Sequence, residues 1–303
     1  MKVNKWREVY DSPQSVDPWK NVPDFALYLD VEPTNHCNMK CAFCNRKRMT
    51  RPLGYMLPET FSRILEDAII FRPKGIRFLR WGEPLWNYAT PEYIRKIKDA
   101  GMLTHVTTNG LLLSGRIGGL KGCGLDTMIV SMQGTDATGY RRLRGNKQAD
   151  VIAGIHDFKN SIPDTWLVVS TTITNESPEQ VAEFVSTWSA VADEVSVGKT
   201  MFRRVRDREG IEDLIQESPE LPKSFKCKEI ETKLSVQWDG TISACCIDYD
   251  NQMTLGNVHK NNLMDSWESP ERKAMLEILR LKRLDLLLLC SECELNYEFR
   301  GEV

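Results

Sequence analysis

The chain has 303 residues, 41% of them hydrophobic and 27% charged, with a formal net charge of −2. That suits one large α/β domain with a small appendage, or two modest domains, and the near-neutral balance points away from nucleic acid and anionic membrane surfaces. The longest apolar run, 286–290, is far short of the ~20 residues of a membrane span, and the polar N-terminus lacks a secretory h-region, so a cytoplasmic protein is expected.

Residues 1–25 read as an N-terminal extension. Beyond them, β-rich runs alternate with helical stretches. Strands are expected at 26–32, 75–80, 103–107, 127–131, 166–172 and 194–199. Helices are expected at 58–71, 91–100, 112–122, 150–160 and 178–191, with Thr90-Pro91 and Ser177-Pro178 as start signals. Six strands alternating with five helices imply βαβ units and a parallel sheet. An open doubly wound sheet and a partial (β/α)6 barrel both satisfy this α/β pattern. This unit is expected to occupy 26–205. A charged connector follows at 206–226, and a smaller unit at 227–303. The smaller unit opens with a hairpin, 232–238 and 241–245, around Asp239-Gly240. A largely helical stretch, 263–283, precedes the terminal cysteines.

The nine cysteines carry the chemistry. A reducing compartment and an odd count both argue against disulfides. Cys123 stands alone and reads as a packed small hydrophobe. Cys37-Asn-Met-Lys-Cys41-Ala-Phe-Cys44 follows the first strand, where α/β folds place active sites. Three thiolates cannot complete a tetrahedral site, but they can hold three corners of a four-iron cubane and leave one iron open. The competing reading is structural zinc with a distant fourth ligand such as His36. In the second group, 17 residues separate Cys227 from Cys245, 44 separate Cys245 from Cys290, and two separate Cys290 from Cys293. These four thiols can fully ligate one cluster, and zinc accepts such a set as readily.

The first group, with Phe43 before its last cysteine, resembles the signature of the radical S-adenosylmethionine (SAM) superfamily. Gly82-Glu83-Pro84 after the second strand is similar to that family's Gly-Gly-Glu-Pro, with Trp81 in place of the first glycine. Thr107-Thr108-Asn109-Gly110 and Ser131-Met132-Gln133-Gly134 follow the third and fourth strands in the family's order. The resemblance implies a partial, TIM-like (β/α)6 barrel. It implies a 4Fe-4S cluster on Cys37, Cys41 and Cys44 whose open iron chelates SAM. SAM contacts are implied at Phe43, Gly82, Glu83, Pro84, Asn109, Ser131 and Gln133, with Glu83 on the methionine amino group. Arg204 is a further candidate for a SAM or substrate carboxylate. Reductive cleavage would give a 5′-deoxyadenosyl radical that abstracts hydrogen from substrate. The spacing of the second group resembles the twitch form of the SPASM extension. Trp238-Asp239-Gly240 and Leu255-Gly256-Asn257 support this. One auxiliary 4Fe-4S cluster on Cys227, Cys245, Cys290 and Cys293 is implied, and a flavodoxin or ferredoxin as reductant.

Cys246 adjoins a ligand position. On a continuing strand it would face away from Cys245. It reads as packing, as the ligand in place of Cys245, or as a thiol that returns a hydrogen atom to a substrate radical. The last role resembles radical SAM epimerases of sugars. The single auxiliary cluster also resembles a dehydrogenase of an aminocyclitol alcohol. Peptide-modifying relatives often carry a leader-recognition domain of roughly a hundred residues. Only about 25 residues precede the first expected strand here, so a sugar-like small molecule is expected over a ribosomal peptide. A non-catalytic iron–sulfur or zinc protein is the reading from another class, and the Gly-Glu-Pro and Asn-Gly motifs weigh against it.

Overall fold

Strands form where apolar and β-branched residues cluster between turn signals. In the computed structural model, which describes residues 2–11, 23–199, 211–214, 227–291 and 293, all six expected strands are present. They are β1 (Tyr28–Val31), β2 (Gly75–Phe78), β3 (Leu103–Thr108), β4 (Thr127–Ser131), β5 (Trp166–Ile173) and β6 (Glu194–Lys199). Each runs parallel to the next. A short α1 (Arg7–Asp11) precedes them. The crossovers carry α2 (Pro58–Phe71), α3 (Thr90–Asp99), α4 (Leu113–Leu120), α5 (Ala137–Arg144), α6 (Gln148–Ser161) and α7 (Pro178–Ser189). Sequence reading missed α5. Asp136 caps it by accepting from Gly139 N at 2.8 Å, and its apolar face is only Tyr140 and Leu143.

The C-terminal unit extends the same sheet. After α8 (Lys228–Thr232), β7 (Lys233–Val236) pairs parallel with β1, Tyr28 opposite Lys233 and Val31 opposite Val236. The hairpin arm β8 (Thr241–Ser243) and then β9 (Thr254–Asn257) add antiparallel. The order is β6-β5-β4-β3-β2-β1-β7-β8-β9, so the sheet does not close. The expected helical stretch at 263–283 is two helices, α9 (Leu263–Trp267) and α10 (Pro270–Arg280). Ser269 caps the second by accepting from Arg272 N, with Pro270 at its first position.

Alternation gives the sheet two faces. Leu29 and Val31 join the apolar core with Phe61, Ile64, Ile76 and Phe78. Asp30 points the other way and is fully buried, accepting from Arg77 Nε and Lys233 Nζ at 2.6 Å each. Burial raises the Asp30 carboxyl, but Arg77 and Lys233 outweigh it and hold it well below the usual carboxylate range. Trp6, just before α1, is completely buried at one end of these strands. Its indole donates to Thr104 O at 3.0 Å and meets Tyr28 and His105 edge-on.

Burial, reinforced by Arg77, pushes the His105 imidazole down to about 3. The folded chain therefore holds it neutral while the unfolded chain protonates it near pH 6.5. Stability from this group is present above about pH 6.5 and is lost progressively toward pH 3. The expected slope reaches about 1.4 kcal/mol per pH unit. His105→Gln should flatten it in urea titrations between pH 4 and 6.5. An unchanged slope would remove His105 from the acid sensitivity.

Candidate active site

The three thiols of the first group sit on the loop leaving β1. Cys44 N donates to Cys41 O at 3.1 Å, which curls the loop. Ala42 N donates to Leu143 O at the end of α5. Burial pushes all three thiols up, and each interacts electrostatically with another of the set. Among the described residues, no three His, Cys, Asp or Glu side chains converge on a point that suits one metal ion. A soft set of three thiols leaves a tetrahedral zinc one ligand short, whereas a cubane can take three and keep one iron open.

The β2 and β3 ends meet this loop. Gly82 lies so close to Thr34 that a Cβ would fall 1.9 Å from the Thr34 carbonyl oxygen, which explains glycine here. Glu83 N donates to His36 O at 2.8 Å, and Pro84 starts a short 3-10 turn. The Glu83 carboxylate is 1% exposed and accepts from Thr108 Oγ1 at 2.6 Å, Asn109 N at 2.8 Å and Leu85 N at 3.1 Å. Burial pushes its carboxyl up, with the Asn109 and Thr108 bonds opposing. Asn109 Nδ2 reaches Asn38 Oδ1 at 2.7 Å and Cys37 Sγ at 3.7 Å. Gly110 takes φ +83, where Val130 and Val151 leave no room for a Cβ. Three motifs far apart in sequence thus form one network against the thiol loop.

Ser131 ends β4, and Gln133 follows, buried, with its Nε2 on Thr172 Oγ1. Gln133 Oε1 accepts from Arg144 at 3.0 and 3.2 Å. Arg144 is the residue that sequence reading missed. Its guanidinium lies 5.7 Å from the Phe43 ring and favours the charged forms of Cys41, Cys44 and Glu83. Arg46 adds a second cation, acting on all three thiols. Phe43 packs beside Leu143, Ile211 and Leu214. Arg204 lies outside the described residues.

In the second group, Cys227 precedes α8, and its electrostatic neighbours include Cys290 and Cys293. Cys293 N donates to Cys290 O at 3.2 Å. Cys245 lies beyond β8, which ends at Ser243, so strand alternation does not extend to Cys246. Cys246 instead lies in the turn that follows the strand, where Glu229 and Lys233 act on its thiol electrostatically. Buried Asp248 holds this turn, accepting from Ser243 Oγ, Gln252 N and Met253 N at 3.0, 2.9 and 2.8 Å. Cys123 is buried in the core, as expected.

A partial parallel barrel with three clustered thiols and a buried carboxylate at its strand ends defines a metallocofactor enzyme. A family model described as the radical SAM superfamily matches residues 31–187, just over half the chain, and an iron–sulfur cluster-binding domain, SPASM, matches 227–294. The chain belongs to the radical SAM superfamily, and these domains imply a 4Fe-4S cluster, an auxiliary cluster and SAM. A "probable GTP 3′,8-cyclase" of Metallosphaera sedula is 32% identical over 161 residues, 52% of this chain but only 50% of that protein. Another, of Sulfolobus acidocaldarius, is 24% identical over 90% of this chain and 95% of its own length. Among solved structures, Streptococcus suis SuiB bound to SAM matches with a TM-score of 0.68 at 21% identity, covering 89% of this chain and 72% of that one. BtrN in complex with AdoMet and 2-DOIA matches at 0.60 and 18%, covering 89% and 93%. At these identities the likeness to the solved structures is one of fold. Among the described residues, no helix is long and apolar enough to cross a membrane.

Proposed function

We propose that this chain cleaves SAM reductively and takes a hydrogen atom from a polar, sugar- or aminocyclitol-like substrate, ending in dehydrogenation or epimerisation. The observation that carries the reading is Glu83, whose carboxylate accepts from Thr108 and Asn109 while its backbone N–H donates to His36 O at the start of the thiol loop. Cys37, Cys41 and Cys44 would hold the SAM-binding cluster, and Cys227, Cys245, Cys290 and Cys293 the auxiliary one. Bound, these groups and SAM supply a one-electron donor, an adenosyl radical and a second redox centre.

The residues do the rest. Glu83 keeps its acceptor oxygens oriented through three donors and offers them to the methionine ammonium. Gln133 and Arg144 form a donor pair for the carboxylate or ribose, in the role first sought at Arg204. Phe43 and its apolar neighbours exclude water beside the thiols. A small-molecule substrate is supported by the GTP and 2-DOIA named for the relatives. The peptide-maturase reading is supported by the SuiB fold, solved with precursor peptide SuiA. A flavodoxin or ferredoxin is proposed as reductant.

Anaerobically reconstituted protein with dithionite should release 5′-deoxyadenosine. An aminocyclitol or GTP should accelerate release more than a short peptide does, and the reverse order would favour the maturase. In deuterated water, epimerisation through Cys246 leaves one solvent deuterium at the inverted carbon, and Cys246→Ala stops it. Dehydrogenation gives a carbonyl without label. No 5′-deoxyadenosine from iron-replete protein overturns the reading.

A further inference from the structure

The inner face of the sheet carries a second set of polar groups between the two cysteine sites. Lys233, Ser235 and Gln237 share one face of β7 and its continuation, the face that meets Asp30. Ser235 is 1% exposed and Gln237 0%. Among the described residues, Ser235 Oγ and both amide atoms of Gln237 have no hydrogen-bond partner. Ser235 stands opposite Ser243 in the β7–β8 register. The Ser243 hydroxyl, which donates to Asp248, lies 3.2 Å from Cys245 O.

Arg80 arrives at the same carbonyl from the other side. It follows β2 and immediately precedes Trp81-Gly82-Glu83. Its Nη2 donates to Cys245 O at 3.4 Å and Asp248 O at 3.2 Å. Its Nε and Nη1 are buried and unpartnered, and among the described residues its bonds go to carbonyls alone. Its backbone has φ +95, a conformation that side-chain-bearing residues rarely hold away from functional sites. A buried guanidinium without an anion, beside a buried amide and hydroxyl without partners, is an incomplete set.

We propose that Arg80, Ser235 and Gln237 bind an oxyanion group of the substrate, a carboxylate or a phosphate, between the SAM site and the auxiliary-cluster turn. The proposal rests on the radical SAM reading above and narrows its substrate class. A free N–H of the guanidinium suits one oxygen of an oxyanion, and the amide and hydroxyl suit its other oxygens or neighbouring hydroxyls.

Thermal melting of the anaerobically reconstituted full chain with SAM tests it. Glucuronate and glucose 6-phosphate are the probes, and glucose is the neutral control. Tm should rise with one oxyanion probe, identifying carboxylate or phosphate as the source, and stay put with glucose. Arg80→Gln should abolish the rise. Gln237→Leu should weaken probe binding at least tenfold yet raise the unliganded Tm, because it deletes two unpartnered buried atoms. If Arg80→Gln does not fold, Gln237→Leu carries the comparison. No rise with either oxyanion, an equal rise with glucose, or an undiminished rise in Gln237→Leu overturns the proposal. Background 5′-deoxyadenosine from the parent chain separates the two failures. If it forms while the probes fail, only this inference falls. If it never forms, the radical reading falls first.

Discussion

On the proposed ligand assignment, Cys41→Ala should reduce iron from about eight to about four atoms per chain, because one four-iron cluster would lose a corner while the auxiliary one would keep its four thiols. Formation of 5′-deoxyadenosine should drop at least ~1,000-fold, since the electron donor and the chelating iron are lost together. The fold should survive. Cys41 is partly exposed at the margin of the core, and its neighbour Ala42 keeps its backbone bond to Leu143. Cys293→Ala is the contrast. It removes a thiol from the other group, so iron should fall by a similar amount while uncoupled SAM cleavage persists. Anaerobic iron assays and chromatographic detection of 5′-deoxyadenosine read both. If Cys41→Ala retained full iron and cleaved SAM, the first thiol group would not be the SAM-binding site.

Much of this site was legible because each motif is local. The six strands announced themselves as short β-rich runs such as Thr127–Ser131, and each of the first four was followed by its own thiol, carboxylate or amide segment. What stayed hidden depends on chain segments meeting across the fold. Arg144 lies on a helix whose first turn contains Gly139, a poor helix former, and whose face is mostly charged, so periodicity did not reveal it. Arg80 looked like an ordinary strand-end cation until its reach to the Cys245 carbonyl was visible. The hairpin at Asp239-Gly240 is a local signal, but the parallel pairing of β7 with β1 has no local sign and was not foreseen. The reading of Cys246 failed in its premise. Alternation needs a strand, and the strand stops at Ser243, where the side chain turns to bond Asp248.

That same long-range joining makes Arg51 the most vulnerable structural residue. Glu32, completely buried at the end of β1, takes a bidentate pair from Arg51 Nη1 and Nη2 at 2.7 Å each. Arg51 Nε donates to Tyr249 O at 2.8 Å, and Thr50 and Arg51 backbone N–H groups donate to Asp250 at 2.7 and 3.0 Å. Glu32 also accepts from Trp81 N at 3.3 Å, at the threshold of the Gly82-Glu83 segment. One ion pair therefore fastens the segment after the thiol loop to the Trp81–Glu83 turn and to the turn at 248–250. Arg51→Met leaves a carboxylate buried without its cation, which costs about 3–5 kcal/mol. Tm should fall on the order of 10 °C for a chain of this size. SAM affinity should fall as well, because the Trp81–Glu83 backbone loses its fixed partner. Glu32→Leu combined with Arg51→Met should recover much of the lost stability, since both buried charges then disappear. SAM affinity should recover less, because Trp81 N still lacks an acceptor. An Arg51→Met chain that melts with the parent would mean that water already satisfies Glu32 and that the two turns are held by other bonds.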